Sequence, residues 1–133
     1  MADERIEIMR RVTLFEGLSD KELAAVAGAA KERRYDTGDA IVNEGESGVG
    51  FFVIADGTAS VTVDGGEVRT LGQGDYFGEI ALLAESPRTA TVTAETDLIC
   101  WGLVSWAFRP IVEANGSIAW KLLRTMARLV AET

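Results

Sequence analysis

The spacing of apolar and polar positions changes along this chain and divides it into helical ends and a β-rich middle. Residues 5–12 carry apolar side chains at the spacing of a short amphipathic helix. Ser19 stands three residues before Glu22, which is the arrangement of a capping box at a helix start. A second helix is therefore predicted from Ser19 to about Ala30.

Short apolar runs separated by glycine-rich turns follow the polar turn at residues 35–39. Asp64-Gly65-Gly66 is a hairpin signal between two of these runs. Because the runs are short and closely spaced, they predict antiparallel strands in a sandwich or jelly roll. The predicted strands are 40–43, 51–55, 58–63, 67–71, 89–94 and 98–103.

One interval between strands has a different pattern. Residues 79–84 can form about one helical turn, which Pro87 would stop. The start of such a turn presents unpaired N–H groups, Gly78 permits close backbone approach, and Arg88 could reach a phosphate with a forked set of donors. Glu79 offers acceptors for a sugar hydroxyl. These residues alone leave three interpretations open: an anion site, a structural ion pair between Glu79 and Arg88, or two solvated surface charges.

Composition and charge limit the partners. The 133 residues include 13 basic and 21 acidic side chains, a formal net charge of −8. Such a field repels nucleic acid and anionic membranes, so neither is an expected partner. An anionic ligand would have to rely on local donors and a well-placed arginine.

Residue types for catalysis are scarce. The chain has no histidine and a single cysteine, Cys100, within an apolar run. It has no nucleophile elbow and no Walker loop, and a metal-dependent cupin is disfavoured. We therefore expect a non-catalytic protein without metal or cofactor, with Cys100 as a buried small hydrophobe. The charged start and the absence of a long apolar run predict a cytoplasmic location.

A final helix is predicted from Ser117, as its N-cap, to Val130. Its polar face would hold Lys121, Arg124, Thr125 and Arg128. Two apolar stripes accompany this face, one of Ile118, Leu122, Met126 and Leu129, and one of Trp120, Leu123, Ala127 and Val130. Three interpretations remain for the wide apolar band: packing in its own core, a lid over a ligand, or a dimer seam. Trp101 and Trp106 are expected in core or hinge packing.

The segment FGEIALLAESPRTATV, residues 77–92, closely resembles the phosphate-binding cassette of the cyclic nucleotide-binding domain family, which includes the catabolite activator and the regulatory subunits of cAMP-dependent kinase. The resemblance extends to residues 14–23, 38–57 and 71–79. It implies a mainly β fold, an antiparallel jelly roll with flanking α-helices. A single domain would contain N-terminal helices in residues 1–34, the jelly roll in 35–104 and C-terminal helices in 105–133.

The resemblance also implies roles for individual residues. Glu79 would accept from the ribose 2′-hydroxyl, and Arg88 would pair with the cyclic phosphate. The ligand-binding set is Phe77, Gly78, Glu79, Ile80, Ala81, Arg88, Thr89 and Ala90. Thr89 lies where some family members touch a guanine amino group, which leaves the base open, with cAMP favoured over cGMP. The glycines of Ser47-Gly48-Val49-Gly50 are expected to serve loop geometry, not ligand contact.

The base would be covered by the last helix. Trp120, Leu123 and Arg124 are the candidates, since an aromatic or long side chain can stack on a purine. The expected function is a sensor whose C-terminal helix relays occupancy to an effector protein or a second copy of the chain. No helix-turn-helix segment follows this helix, so the expectation is a binding domain without an effector module. The alternative is a structural interaction module that keeps the fold but no longer binds nucleotide.

Overall fold

The computed structural model describes residues 4–48, 50–84 and 86–132. The chain divides into two compact units: a helical unit of Met1–Ala30 with Trp106–Thr133, and a β unit of Lys31–Ser105. Among the helices in the described ranges, none is both long and apolar enough to span a bilayer. Both predicted classes of element are therefore present, each concentrated in its own unit.

The helical unit is formed by the two ends of the chain. Its helices are α1 (Glu4–Arg10), α2 (Asp20–Gly28), α3 (Ser105–Ala114) and α4 (Gly116–Ala131), with a 3₁₀ turn at Thr13–Phe15. The rings of Phe15 and Phe108 lie 5.9 Å apart, so residues more than ninety positions apart in sequence share one apolar interior. The most buried apolar side chains of this unit are Met9, Val12, Phe15, Leu23, Val26, Ala27, Phe108 and Ile118.

The start of α2 confirms the predicted capping box. The backbone N–H of Glu22 donates to the Ser19 hydroxyl at 3.2 Å, and the backbone N–H of Ser19 donates to the Glu22 carboxylate at 2.8 Å. Two N–H groups that the helix itself cannot satisfy are thereby paired. The helix begins where its local sequence predicts.

The start of α4 differs from the prediction. Asn115 occupies the N-cap position and Ser117 lies inside the helix, so the prediction of Ser117 as the cap is wrong. The Asn115 side chain donates instead to the carbonyl of Ile111 at 2.7 Å, near the end of α3. Thr125, which was assigned to the polar face, is only 6% exposed and belongs to the buried face with Ile118 and Leu122. Sequence spacing alone could not tell which face of an apolar-rich helix would be covered.

An ion pair ties α4 to α2. The Lys121 ammonium donates to the Glu22 carboxylate at 2.6 Å, and this bond, with the capping bond from Ser19, lowers the pKa of Glu22 from its usual 4.5 to about 2. The contribution of this ion pair to the free energy of unfolding is therefore present above the usual pKa of 4.5. It is lost as the pH falls from there towards the folded-state pKa of about 2. We expect Glu22→Gln to lower the melting temperature at pH 7 but not at pH 2, measured by circular dichroism. An equal difference at both values would contradict this assignment.

The β unit is a sandwich of antiparallel strands. One sheet has the order β1-β10-β4-β7, a second has the order β2-β9-β5-β6, and β3 pairs with β8. This arrangement confirms the predicted fold class. The strands are β1 (Lys31–Tyr35), β2 (Ala40–Val42), β3 (Ser47–Gly48), β4 (Gly50–Asp56), β5 (Ala59–Val63), β6 (Gly66–Leu71), β7 (Tyr76–Phe77), β8 (Ser86–Pro87), β9 (Thr91–Ala94) and β10 (Leu98–Val104).

Alternating side chains of the two sheets form the core of this unit. Its buried members are Val42, Ile54, Ala59, Val61, Leu71, Phe77, Val92, Ala94, Leu98 and Cys100. The hairpin between β5 and β6 turns at Asp64 and Gly65, whose φ angles are 52° and 80°. Two consecutive positive φ angles are those of the turn that matches strand twist, which confirms the hairpin.

Strand β1 was not predicted. Its sequence is KERRY, four of its five side chains are exposed, and it pairs only with β10 at the sheet edge. A strand without apolar alternation gives no periodic signal. Charged side chains are common on such edges because they discourage pairing with another chain.

Two single-residue expectations had opposite outcomes. Cys100 is fully buried, and this burial raises the pKa of its thiol to about 12, which confirms its interpretation as a small core hydrophobe. Trp106, in contrast, is 67% exposed on α3, so the core alternative of its core-or-hinge prediction is wrong, while hinge packing stays a prediction. Its neighbour Phe108 takes the buried position of that helix.

Candidate functional site

A cleft of about 460 Å³ opens in the β unit. That volume is within the range of small-molecule sites in proteins. Apolar side chains of four strands line it, namely Val42, Val61, Leu71 and Val92. Most of the remaining lining comes from residues 75–90, which include Gly78 and the polar side chains of Glu79, Arg88 and Thr89. The cleft thus combines an apolar surface with a polar segment.

The polar segment begins with a sharp turn at Gly78. This residue has φ 85° and precedes a 3₁₀ helix at Glu79–Leu82, where about one helical turn was predicted. The Ala81 N–H donates back to the Gly78 carbonyl at 3.0 Å. A methyl group on Gly78 would lie 2.6 Å from the Gly50 carbonyl oxygen. Both the left-handed backbone and the close neighbour therefore require glycine here.

Arg88 follows the short strand β8, and both its backbone N–H and its backbone carbonyl are hydrogen-bonded. Its N–H donates to the carbonyl of Glu46 and its carbonyl accepts from the N–H of Gly45, each at 2.8 Å. Its guanidinium donates through Nη2 to the Gly50 carbonyl at 2.6 Å. These three bonds fix the backbone and one edge of the guanidinium.

The charge of Arg88 has no counter-ion among the described residues. The side chain is half-buried, and that desolvation lowers its pKa from the usual 12.5. No described carboxylate lies within ion-pair distance of it, Glu79 included, so the interpretation of these two residues as a structural ion pair is wrong. A desolvated cation without a partner carries a cost that a bound anion would offset.

Glycines surround the Arg88 side chain. A methyl group on Gly48 would lie 2.7 Å from the Arg88 Cδ, and one on Gly50 would lie 3.8 Å from its Nη2. Gly48 is not in the left-handed region, so loop geometry does not explain it, and the expectation for this residue is corrected. Glycine is needed because the arginine side chain crosses its Cα. Val49, between the two glycines, is outside the described residues.

The structure brings together every residue predicted for the phosphate and sugar. Glu79 is half-buried, and no described residue donates to its carboxylate. Thr89 and Ile80 are exposed at the cleft, while Phe77 is buried and stacks on Phe52 with ring centroids 5.3 Å apart. The predicted residues that line the cleft are Phe77, Gly78, Glu79, Ile80, Ala81, Arg88, Thr89 and Ala90.

The residues predicted for the base belong to the other unit. Trp120, Leu123 and Arg124 lie on α4 and are exposed. All the residues that line the cleft belong to the β unit. Contact of these three side chains with a base therefore stays a prediction.

Sequence reasoning missed part of the cleft. Arg69, Asp75 and Tyr76 also line it. The signal for Arg69 was present in the predicted strand 67–71, since residues two apart on a strand face the same side and Leu71 is a core residue of this sheet. Arg69, on β6, adds a second guanidinium to the cleft.

Comparisons with known proteins agree with this geometry. The family model of the cyclic nucleotide-binding domain matches residues 32–115. The chain is 48% identical over 119 residues to a cAMP-dependent protein kinase regulatory subunit of Mycosarcoma maydis, covering 85% of this chain and 23% of that protein. It is 38% identical over 107 residues to a cGMP-dependent protein kinase of Plasmodium berghei, covering 80% of this chain and 12% of that protein.

Solved structures show the same fold. The N-terminal domain of a transcriptional regulator from Streptomyces coelicolor A3(2) superimposes with a TM-score of 0.86 at 28% identity, covering 94% of this chain and 91% of that chain. The chain spans less than a quarter of the length of each of the two curated relatives, so most of each relative lies outside the matched region. The family match covers most of this chain, and the matched segment contains the cleft and Arg88. This chain belongs to the cyclic nucleotide-binding domain family.

Proposed function

We propose that the cleft binds a cyclic purine nucleotide, with cAMP as the preferred ligand, and that the domain is a non-catalytic sensor. The observation that carries the proposal is the half-buried guanidinium of Arg88, which lies in the cleft without a described carboxylate partner. A cyclic phosphate has one negative charge on two exposed oxygens. It therefore fits a fork of N–H donors that has only one edge occupied by Gly50.

The electrostatic setting requires such a local site. Residues 31–105 contain thirteen acidic and five basic side chains, so the β unit carries the whole net charge of the protein. An anionic ligand would be repelled at long range by this field. Two of the five basic residues, Arg69 and Arg88, line the cleft and oppose that repulsion where the ligand would lie.

The remaining parts of the nucleotide have matching groups. The carboxylate of Glu79, to which no described residue donates, supports acceptance of a hydrogen bond from the ribose 2′-hydroxyl. The apolar side chains of Val61 and Leu71 support burial of a purine face. The similarity to a fungal cAMP-dependent kinase regulatory subunit supports adenine as the base.

Titration calorimetry with cAMP and cGMP tests the proposal. We expect cAMP to release heat at micromolar concentration and to raise the melting temperature, because a ligand present at a hundred times its Kd stabilises the folded state by about 2.7 kcal/mol. Neither heat nor a melting shift with either nucleotide at high micromolar concentration would reject the proposal. That result would favour the alternative, a structural interaction module that has lost nucleotide binding.

A second candidate ligand is cGMP, and two residues favour it. Thr89 and Arg69 both line the cleft, and they offer a hydroxyl and a guanidinium to the polar edge of guanine. The similarity to a Plasmodium cGMP-dependent kinase points the same way. Each feature is compatible with cAMP binding, so the two ligands must be compared directly.

Thr89→Ala separates the two bases. The hydroxyl is exposed at the cleft, and its removal deletes one hydrogen bond to a guanine amino group, which is worth about 1 kcal/mol. We expect the Kd for cGMP to rise by about fivefold and the Kd for cAMP to change by less than about twofold. Equal losses for the two ligands would show that Thr89 does not read the base.

We further propose that α4 relays ligand occupancy. A ligand shifts such a helix only if it binds one helix position more tightly than another. The partner that binds α4 in one of these positions is either a second copy of the chain or an effector protein. The same titrations, repeated with a probe attached to α4, would report whether the helix responds to the ligand.

A further inference from the structure

The outer face of α4 carries an apolar stripe that the helical unit does not bury. Trp120 and Leu123 are each 62% exposed and Val130 is 68% exposed, and Ala127 between them is also exposed. Their spacing of three, four and three residues places them in one row along about 15 Å of helix. We refer to these four residues as the outer stripe. The opposite face, with Ile118 and Leu122, is the one packed in the unit.

A basic groove lies beside the outer stripe. It has a volume of about 470 Å³ and is lined by Glu16, Gly17, Lys121, Arg124, Thr125 and Arg128. Two of its three cations are already paired, Lys121 with Glu22 and Arg128 with Glu16 and Glu132. Arg124 is exposed and pairs with no described carboxylate. One turn separates it from Trp120, so the unpaired guanidinium borders the stripe.

We propose that the outer stripe and the basic groove together dock an amphipathic helix of a partner protein, one whose apolar seam is flanked by acidic side chains. The stripe supplies the apolar contact, and Arg124 supplies the charge that selects carboxylates. The proposal concerns the protein that contacts α4. It does not depend on whether the cleft binds a nucleotide.

Charge decides between this partner and a second copy of the chain. The segment 116–131 contains Lys121, Arg124 and Arg128 and no acidic residue. Two copies packed through their outer stripes would have helix axes about 8 to 10 Å apart. The two Arg124 side chains would then lie in one interface, and because Lys121 and Arg128 are already paired with carboxylates, Arg124 carries the uncompensated charge. Like charges at that distance destabilise the pair. A helix with glutamates in the flanking positions replaces this repulsion by attraction and selects against the homodimer.

Two synthetic helical peptides test the proposal. They share the same leucine seam, which is flanked by glutamates in one peptide and by lysines in the other. Each is labelled with fluorescein and titrated with the ligand-free chain, and binding is followed by fluorescence anisotropy. We expect the glutamate peptide to bind at least about tenfold more tightly than the lysine peptide, with a difference that shrinks at high salt. Arg124→Glu should reverse this preference, and Leu123→Asp should weaken both peptides.

Matched controls exclude general effects of the substitutions. Arg11→Glu changes an exposed charge of the same unit, and Val68→Asp changes an exposed apolar residue of β6, so both variants should bind the peptides as the original chain does. Circular dichroism melting confirms that every variant folds. Equal binding of the two peptides, or binding of neither, would overturn the proposal. Sedimentation of the chain as a dimer that Leu123→Asp dissociates would overturn it in favour of a second copy.

Discussion

Arg88→Leu is expected to lower the affinity for cAMP by about thirtyfold to several thousandfold while the domain still folds. Loss of one partner from a desolvated, hydrogen-bonded charge pair costs about 2 to 5 kcal/mol. The leucine cannot donate to the cyclic phosphate, and the anion would then lie in a β unit with thirteen acidic side chains. Titration calorimetry gives the affinity, and circular dichroism melting reports the fold.

Two further variants define what Arg88 contributes. Arg88→Lys keeps the charge but loses the fork, so we expect an intermediate affinity if donor geometry matters in addition to charge. Arg69→Leu removes the other guanidinium of the cleft and should cost less, because Arg69 is exposed and its charge is screened by solvent. Binding of cAMP by Arg88→Leu with the affinity of the original chain would show that the phosphate lies elsewhere.

Gly48→Ala is expected to lower cAMP affinity by about tenfold to a hundredfold, the loss expected for one charged hydrogen bond, with a small change in stability. The added methyl group would overlap the Arg88 side chain, since it would lie 2.7 Å from the Arg88 Cδ. The atoms displaced are the far part of a flexible side chain, so the strain can be relieved by moving the guanidinium away from Gly50. That movement removes the phosphate partner without unfolding the strands.

The matched control is Gly72→Ala. No atom outside the adjacent residues lies within 4 Å of a methyl group at Gly72, and its φ is not in the left-handed region. This variant should keep both its melting temperature and its affinity. If Gly48→Ala bound cAMP normally, Arg88 would not need the position that it occupies beside Gly48. If Gly48→Ala failed to fold, the expectation that the Arg88 side chain moves away and relieves the strain would be wrong.

Much of the local structure could be predicted from the sequence because its causes are local. The capping box of Ser19 and Glu22 depends on residues three positions apart, and the Asp64-Gly65 turn depends on two residues that tolerate positive φ. Strands with apolar alternation were identified for the same reason. Strand β1 has no alternation, since its charged side chains lie at an exposed sheet edge, and only its pairing with β10 defines it.

The segment from Phe77 to Val92 was identified as a phosphate site by its resemblance to a known motif. By themselves, Glu79 and Arg88 were also compatible with an ion pair or with solvated surface charges, and the folded structure excludes the ion pair among the described residues. The role of Gly48 was assigned incorrectly because it depends on Arg88, forty positions later in the sequence. Contacts of this kind arise when β3 pairs with β8, which no local pattern specifies.

The sequence by itself determined the fold class, the residues of the cassette and the acidic charge of the protein, since these follow from periodicity, motif and composition. Only the tertiary structure decided which groups lack partners. It left Arg88 half-buried without a described carboxylate, and it left the outer stripe of α4 exposed beside Arg124, which likewise pairs with no carboxylate of the described residues. The physical reason is that pairing and burial depend on distances between residues that are far apart in sequence, and folding alone sets those distances.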